Sequence, residues 1–151
     1  MPRGSRRLPE RCLELIGEAD ALIHAGDFLA AAVLEELESL CPAVHAVHGN
    51  VDEAALRARL PEATEVTLGG FAIAVVHDAG PTRGRLGRMR SRFPAADAVV
   101  FGHSHMPLHE REGDFQIFNP GSPTERRRAP RASMGLLSVS RSGPVFEHVW
   151  L

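Results

Sequence analysis

The sequence predicts an α/β fold with mixed sheets, and three observations carry that prediction. Residues 8–60 alternate helical periodicity with short apolar runs, the pattern of strands joined by helices. Residues 64–118 hold two pairs of apolar runs, each joined by a two-residue turn containing glycine, the pattern of hairpins. The chain has 151 residues, enough for one full core in a single domain.

Leu8-Pro9-Glu10 opens the first helix. Proline suits the first turn, glutamate suits the positive end of the helix dipole, and Leu13, Ile16 and Ala19 keep helical spacing. Ala21-Leu22-Ile23-His24-Ala25 is an apolar run ended by Gly26-Asp27, a buried strand feeding a loop. Residues 29–40 are rich in alanine and leucine, with Glu35, Glu36 and Glu38 on another face, and predict a second helix. Val44-His45-Ala46-Val47-His48 alternates and stops at Gly49-Asn50, a second strand and its exit. Residues 53–60 predict a short helix stopped by Pro61. Residues 64–68 and 71–76 flank Gly69-Gly70 as a hairpin whose second strand ends at His77. Residues 82–92, arginine-rich with Leu86 and Met89 three apart, predict an amphipathic helix. Residues 97–101 form a strand, and residues 107–112 and 115–118 form a second hairpin around Gly113-Asp114. Asn119-Pro120-Gly121-Ser122-Pro123 is a turn cluster. Residues 135–139 and 144–150 are two closing strands around Ser142-Gly143.

Composition narrows the function classes. The net charge is −2, which provides no strong field for nucleic acid or a membrane surface. Every basic residue is arginine. Cys12 and Cys41 lack the spacing of a metal site and read as buried, reduced thiols of a cytoplasmic protein. No apolar run approaches the roughly 18 residues of a membrane-spanning helix. Residues 1–7 are basic with no apolar segment behind them and do not read as a secretion signal.

Chemistry-bearing residues collect where the apolar runs end. Phe101-Gly102-His103-Ser104-His105 follows Ala98-Val99-Val100 and brings two imidazoles to one strand exit. Asp27, Asn50 and His77 stand at three other exits. In open α/β sheets, ligands gather at the carboxyl ends of strands. A carboxylate, an amide oxygen and three imidazoles suit a divalent ion such as manganese, iron, nickel or zinc. The absence of cysteine from the set argues against a structural zinc knot.

Gly26-Asp27, Gly49-Asn50-Val51-Asp52, Val76-His77 and Gly102-His103-Ser104-His105, followed by Asn119-Pro120-Gly121-Ser122-Pro123, form an ordered series. The series resembles that of the calcineurin-like metallophosphoesterases, and in particular their small bacterial and archaeal phosphodiesterases. The resemblance covers residues 8–140. It implies two mixed sheets packed as a sandwich flanked by helices. It implies a two-metal centre and hydrolysis of a small phosphate ester by a hydroxide held between the metals. Asp27 would bridge both ions, with Asn50, His77 and His103 completing one site and His105 serving the other. Manganese is the expected ion, with nickel, iron or zinc as alternatives. Asn50 and His48 are the expected substrate contacts.

The sequence departs from the family in three places. The family opens with a buried strand ending in Asp-x-His, which supplies two ligands of the first metal; no such motif occurs here. Residues 1–151 therefore read as a single, N-terminally shortened domain, with Met1 an internal methionine and about ten further residues encoded upstream. One metal site then keeps its full ligand set, while the other keeps only Asp27 and His105. The strands that would flank the absent one are expected to carry unpaired amides, or to cover the gap by rearrangement or homo-oligomerisation. Second, Val51 stands where many members have a histidine that protonates the leaving group, so no residue here is assigned that role. Third, Asp78 replaces a common glycine and reads as an acceptor for His77 or as a solvated loop residue.

The remaining polar residues read plainly. His24 is a packed core histidine, and His45, His109 and His148 lie on the surface of alternating strands. Arg126, Arg127, Arg128 and Arg131 form a solvated basic loop or contact phosphate. Trp150 caps the edge of the core. Three readings of function remain open: a metal-dependent phosphodiesterase, a non-catalytic protein-interaction scaffold of the same fold like the retromer subunit, or an inactive truncated product.

Overall fold

The structure, a computed structural model, describes residues 7–151; the readings of residues 1–6 lie outside the described residues. Its elements in chain order are α1 (Glu10–Glu18), β1 (Leu22–His24), α2 (Ala31–Leu40), β2 (Val44–Ala46), α3 (Ala54–Arg59), β3 (Ala63–Leu68), β4 (Phe71–Val76), α4 (Arg85–Arg92), β5 (Ala98–Phe101), β6 (Leu108–Glu112), β7 (Phe115–Asn119), β8 (Ser133–Ser140) and β9 (Gly143–Trp150). Every helix and strand expected from the sequence is present. The second helix starts later than its composition suggests because Leu29 takes a left-handed φ of 77° and cannot continue a helix.

A five-stranded mixed sheet, β3-β4-β5-β7-β6, forms the centre. β4, β5 and β7 run parallel, with antiparallel β3 and β6 outside them. The parallel strands are buried on both faces, which is why they read as continuous apolar runs. One face packs on α4 through Met89, Phe93, Val99, Phe101 and Ile117. The other face, Ile73, Val100 and Phe118, meets Ile23 of β1, Leu137 of β8 and Phe146 of β9. Beyond β1 and β2, helices α1, α2 and α3 close a further core around Ile16, Phe28, Leu34, Leu37 and Leu56. The layers are therefore helix, sheet, sheet, helix.

The second layer is not one continuous sheet. It exists as two separate ribbons, parallel β1-β2 and antiparallel β8-β9. No strand of the described residues lies between them, so the hydrogen-bond ladder does not cross from one to the other.

Several histidines differ from their sequence readings. His24 is a core residue, as expected: its ring stacks on Phe28 at 3.7 Å and its Nδ1 accepts the Gly26 N–H at 3.2 Å. His148 is not a surface residue. It stacks on Phe118 at 4.4 Å and its Nε2 donates to the Asn119 carbonyl at 2.8 Å. His109 is exposed, yet it bonds Gln116 Oε1 at 2.9 Å and lies edge-on to Phe118. Trp150 is 45% exposed and caps little of the core. Cys12 and Cys41 are buried and unpaired, as expected.

Burial, with His77 nearby, pushes the His24 pKa from 6.5 down to about 3. The unfolded chain therefore binds one proton more than the folded one between those values, and stability falls as pH drops through that window. Urea unfolding at about pH 7.5 and about pH 4.5 measures the slope. In His24→Gln, which keeps an acceptor for Gly26, the acid loss of stability is expected to shrink; an unchanged slope refutes the assignment.

Candidate metal centre

Two parallel strand pairs deliver the site. β1 and β2 run in register, with His24 opposite Ala46, so the loops that follow carry Asp27 and Asn50 to one place. β4 and β5 pair Val76 with Phe101, so His77 and His103 leave neighbouring strands together. The Gly102 N–H donates to the His77 carbonyl at 2.9 Å and ties those two exits.

Four donor atoms meet there. His77 Nε2 lies 2.9 Å from Asn50 Oδ1 and 3.5 Å from Asp27 Oδ1. His103 Nδ1 lies 3.1 Å from Asn50 Oδ1 and 3.2 Å from His77 Nε2. Ligands at right angles around an ion with bonds of about 2.1 Å stand about 3.0 Å apart, so these spacings would suit a ligand shell. Among the described residues, no three histidine, cysteine or acidic side chains by themselves form an ion-holding group. The Asn50 oxygen adds a further donor atom, 2.9 Å from His77 Nε2 and 3.1 Å from His103 Nδ1.

Proton positions agree with that shell. His77 Nδ1 lies 2.6 Å from the Ala25 carbonyl and donates to it, which leaves a lone pair on Nε2 in the neutral ring. That lone pair faces the oxygens of Asn50 and Asp27. Three acceptors turned on one another repel unless a proton or a cation lies among them, and a divalent cation would meet that need.

The loops that carry these groups are strained. Asp27, His103 and His105 have φ of 64°, 62° and 59°, in the left-handed region that non-glycine residues avoid. Glycines make the close approach of the loops feasible. A Cβ on Gly49 would lie 2.1 Å from Asp27 Oδ1, and one on Gly26 would lie 2.8 Å from His77 Nδ1.

Other sequence-selected residues fall outside the four-donor group. His105 is buried, and its Nδ1 donates to the Glu125 carbonyl at 2.6 Å, leaving Nε2 as a lone-pair donor. Burial lowers its pKa against the opposing effect of that carbonyl, which favours the neutral ring. His48 is half-buried and takes no part in the contacts that join the four donors. Asp78 is a loop residue, its Oδ1 accepting the Gly80 N–H at 2.7 Å, while its Oδ2 stands 4.0 Å from His103 Nε2 rather than beside His77. Arg127 donates to the His103 carbonyl at 2.8 Å and so lies at the rim of the site.

Two residues that hold the site have roles the sequence reading did not assign. Asp52, 5% exposed, accepts the backbone N–H groups of Asp27, Leu29 and Gly49 at 3.1, 2.7 and 2.7 Å. Asn119, fully buried, donates to the Gly102 carbonyl at 2.8 Å and lies 3.2 Å from Ser104 Oγ, so the turn cluster braces the His103 loop. Their presence inside Gly49-Asn50-Val51-Asp52 and Asn119-Pro120-Gly121-Ser122-Pro123 is the one signal that could have found them.

Residues 4–142 match the calcineurin-like phosphoesterase superfamily domain. The chain belongs to that superfamily. This calcineurin-like domain is 30% identical over 129 residues to a probable metallophosphoesterase of Methanothermobacter thermautotrophicus, covering 84% of this chain and 74% of that protein. It is 30% identical over 159 residues to phosphodiesterase YfcE of Escherichia coli, covering 89% and 82%. Its fold is similar to that of zinc-complexed Vps29 from Entamoeba histolytica, with a TM-score of 0.77 and 22% identity over 99% of this chain and 93% of that one. A structurally characterised archaeal phosphodiesterase has a TM-score of 0.73 and 19% identity, covering 93% and 90%. No helix among the described residues of the domain is long and apolar enough to cross a membrane.

Proposed function

We propose that this chain is a metal-dependent phosphodiesterase acting on a small phosphate ester. The observation that carries the proposal is the meeting of Asp27, Asn50, His77 and His103 through donor atoms 2.9 to 3.5 Å apart, with lone pairs turned inward. The phosphodiesterase and metallophosphoesterase names of the relatives support it.

Asp27, Asn50, His77 and His103 hold one divalent ion, manganese first among the candidates. Such an ion supplies Lewis-acid polarisation of phosphoryl oxygens and makes water a better nucleophile. His105 stands outside this group, so the chain holds one ion firmly. Ala25 and Glu125 fix the two imidazoles His77 and His105 in the tautomer that presents Nε2. Exposed Asn50 and half-buried His48 border the substrate space. Arg127 keeps N–H donors beyond the one given to His103, and these suit a phosphate oxygen. Val51 offers no proton to a leaving group, so leaving groups of low pKa are favoured. The buried, unpaired cysteines accord with a reducing cytoplasmic setting.

Hydrolysis of a series of aryl phosphodiesters with added manganese tests the proposal. The expected result is a rate that falls steeply as leaving-group pKa rises and that drops by about a thousandfold or more in Asp27→Ala. Turnover that ignores Asp27, or that needs no added ion, refutes it. The second reading, a non-catalytic scaffold, draws on the fold similarity to Vps29 and on His105 standing apart from the other ligands. It predicts no Asp27-dependent turnover from a folded, ion-binding chain.

A further inference from the structure

The loop between β7 and β8, residues 120–132, is pinned against the rim of the metal centre. The Ser133 N–H donates to the Ser122 carbonyl at 3.0 Å and closes its base. The Glu125 N–H donates to Ser122 Oγ at 3.1 Å, and the Glu125 carbonyl accepts from His105 Nδ1. Ala129 is buried; its N–H donates to the Arg126 carbonyl at 2.8 Å, and its own carbonyl accepts from Arg126 Nη1 at 2.9 Å. These bonds hold Arg127 in a left-handed turn with φ of 46°, and its Nη1 reaches the His103 carbonyl at 2.8 Å. The Arg127 charge is also felt at His105, where it opposes protonation. One guanidinium therefore stands close to both imidazoles of the strand exit. Arg127 is exposed, and the rest of its N–H fork stays open to a ligand.

The rim has two signs. Arg128 and Arg131 are exposed on the same loop, whose only acidic side chain is Glu125. On another side of His103, Asp78 Oδ2 stands 4.0 Å from the ring Nε2. An anionic group beside His103 is thus drawn toward the loop and repelled from Asp78.

Val51 supplies the second, independent observation: it offers no proton to a leaving group. An alkoxide, about as basic as hydroxide with a pKa near about 16, leaves slowly without one. A phosphate monoester departs as an anion, because its second pKa is about 6. The charge it gains is what a guanidinium fork binds, two oxygens at a time.

We infer that the substrate is a diester of diphosphoric acid, a phosphoanhydride whose leaving phosphate is taken by Arg127. The inference rests on the proposed phosphodiesterase reading and narrows its substrate class. The oxygen of water adds to one phosphorus, and the bond from that phosphorus to the bridging oxygen breaks. The electron pair stays with the bridging oxygen, which departs on the second phosphate. One diphosphate diester and one water give two phosphate monoesters, each carrying one of the two hydrogens of water or releasing it to solvent. Arg127 moves no proton; it stays cationic and holds the oxygens on which charge collects.

Three substrates test this with manganese present: UDP-glucose, the methyl ester of uridine monophosphate, and an aryl phosphodiester. The first two share the uridine and differ in the leaving group. The expected kcat/KM is about 100-fold or more higher for UDP-glucose than for the methyl ester. Arg127→Gly removes the guanidinium and keeps the left-handed turn, which glycine accepts. Its loss on UDP-glucose is expected to exceed its loss on the aryl diester by about tenfold or more, with partial recovery in Arg127→Lys. Calorimetric titration with a methylene-bridged analogue of UDP-glucose, with and without manganese, reads binding without turnover. Affinity is expected to be about tenfold weaker for Arg127→Gly. UDP-glucose no better than the methyl ester, while the aryl diester is turned over with dependence on Asp27, overturns the inference and leaves the proposed reaction standing. No turnover of any substrate overturns both. Equal losses on UDP-glucose and the aryl diester, or unchanged affinity for the analogue, overturn the role of Arg127.

Discussion

Asp52→Ala is expected to lower the stability of the chain by about 3–5 kcal/mol, the largest loss from any single carboxylate. The Asp52 carboxylate accepts three backbone N–H groups, those of Asp27, Leu29 and Gly49. A hydrogen bond to a charged acceptor contributes about 1.5–3 kcal/mol, and a buried donor left unpaired costs about 1–3 kcal/mol. The three bonds share one acceptor group, so their losses do not simply add. Asp52 also restrains Leu29, whose φ of 77° is unfavourable for a bulky side chain. Thermal unfolding checks the prediction, with a fall in Tm of about 10 °C expected for a chain of this size. Asp52→Asn keeps one acceptor oxygen and is expected to fall between wild type and alanine. A Tm within about 2 °C of wild type for Asp52→Ala refutes the clamp.

Gly49→Ala is expected to remove ion binding while leaving the helices and sheets in place. The added methyl would lie 2.1 Å from Asp27 Oδ1 and 2.4 Å from the Asp27 backbone nitrogen. The loop after β1 must move away, and Asp27 moves with it. Overpacking of this kind costs about 1–3 kcal/mol, which a domain of ordinary stability survives. The ligand shell tolerates less, since disturbing the groups that orient a ligand already costs about 10- to 100-fold in affinity. Calorimetric titration with manganese is expected to show a loss of about 100-fold or more, with an unchanged far-ultraviolet circular dichroism spectrum. Wild-type affinity in this variant would place the ion away from Asp27.

Both variants act at positions whose importance is unequally visible in the sequence. Gly49 stands between an alternating strand and Asn50, where a turn residue is expected. Asp52 has no role in the sequence reading beyond its place in Gly49-Asn50-Val51-Asp52. It became a brace only when β1 and β2 paired in parallel and brought the loop after each strand against the other. The same limit applies to His148: alternation on β9 placed it outside, while the stacked Phe118 ring and the Asn119 carbonyl drew it in.

The sequence by itself determined the order of helices and strands, because hydrophobic period and turn chemistry are local properties. It also determined that Asp27, Asn50, His77, His103 and His105 stand at strand exits, because each follows directly on an apolar run. Only the tertiary structure decided which of them share a point in space. Parallel pairing of β1 with β2 and of β4 with β5 brings four together, while the Glu125 carbonyl holds His105 outside their shared contacts. It also decided that the second layer is two ribbons separated by a groove. Whether one strand edge meets another depends on contacts between residues more than a hundred positions apart, and no local pattern records those.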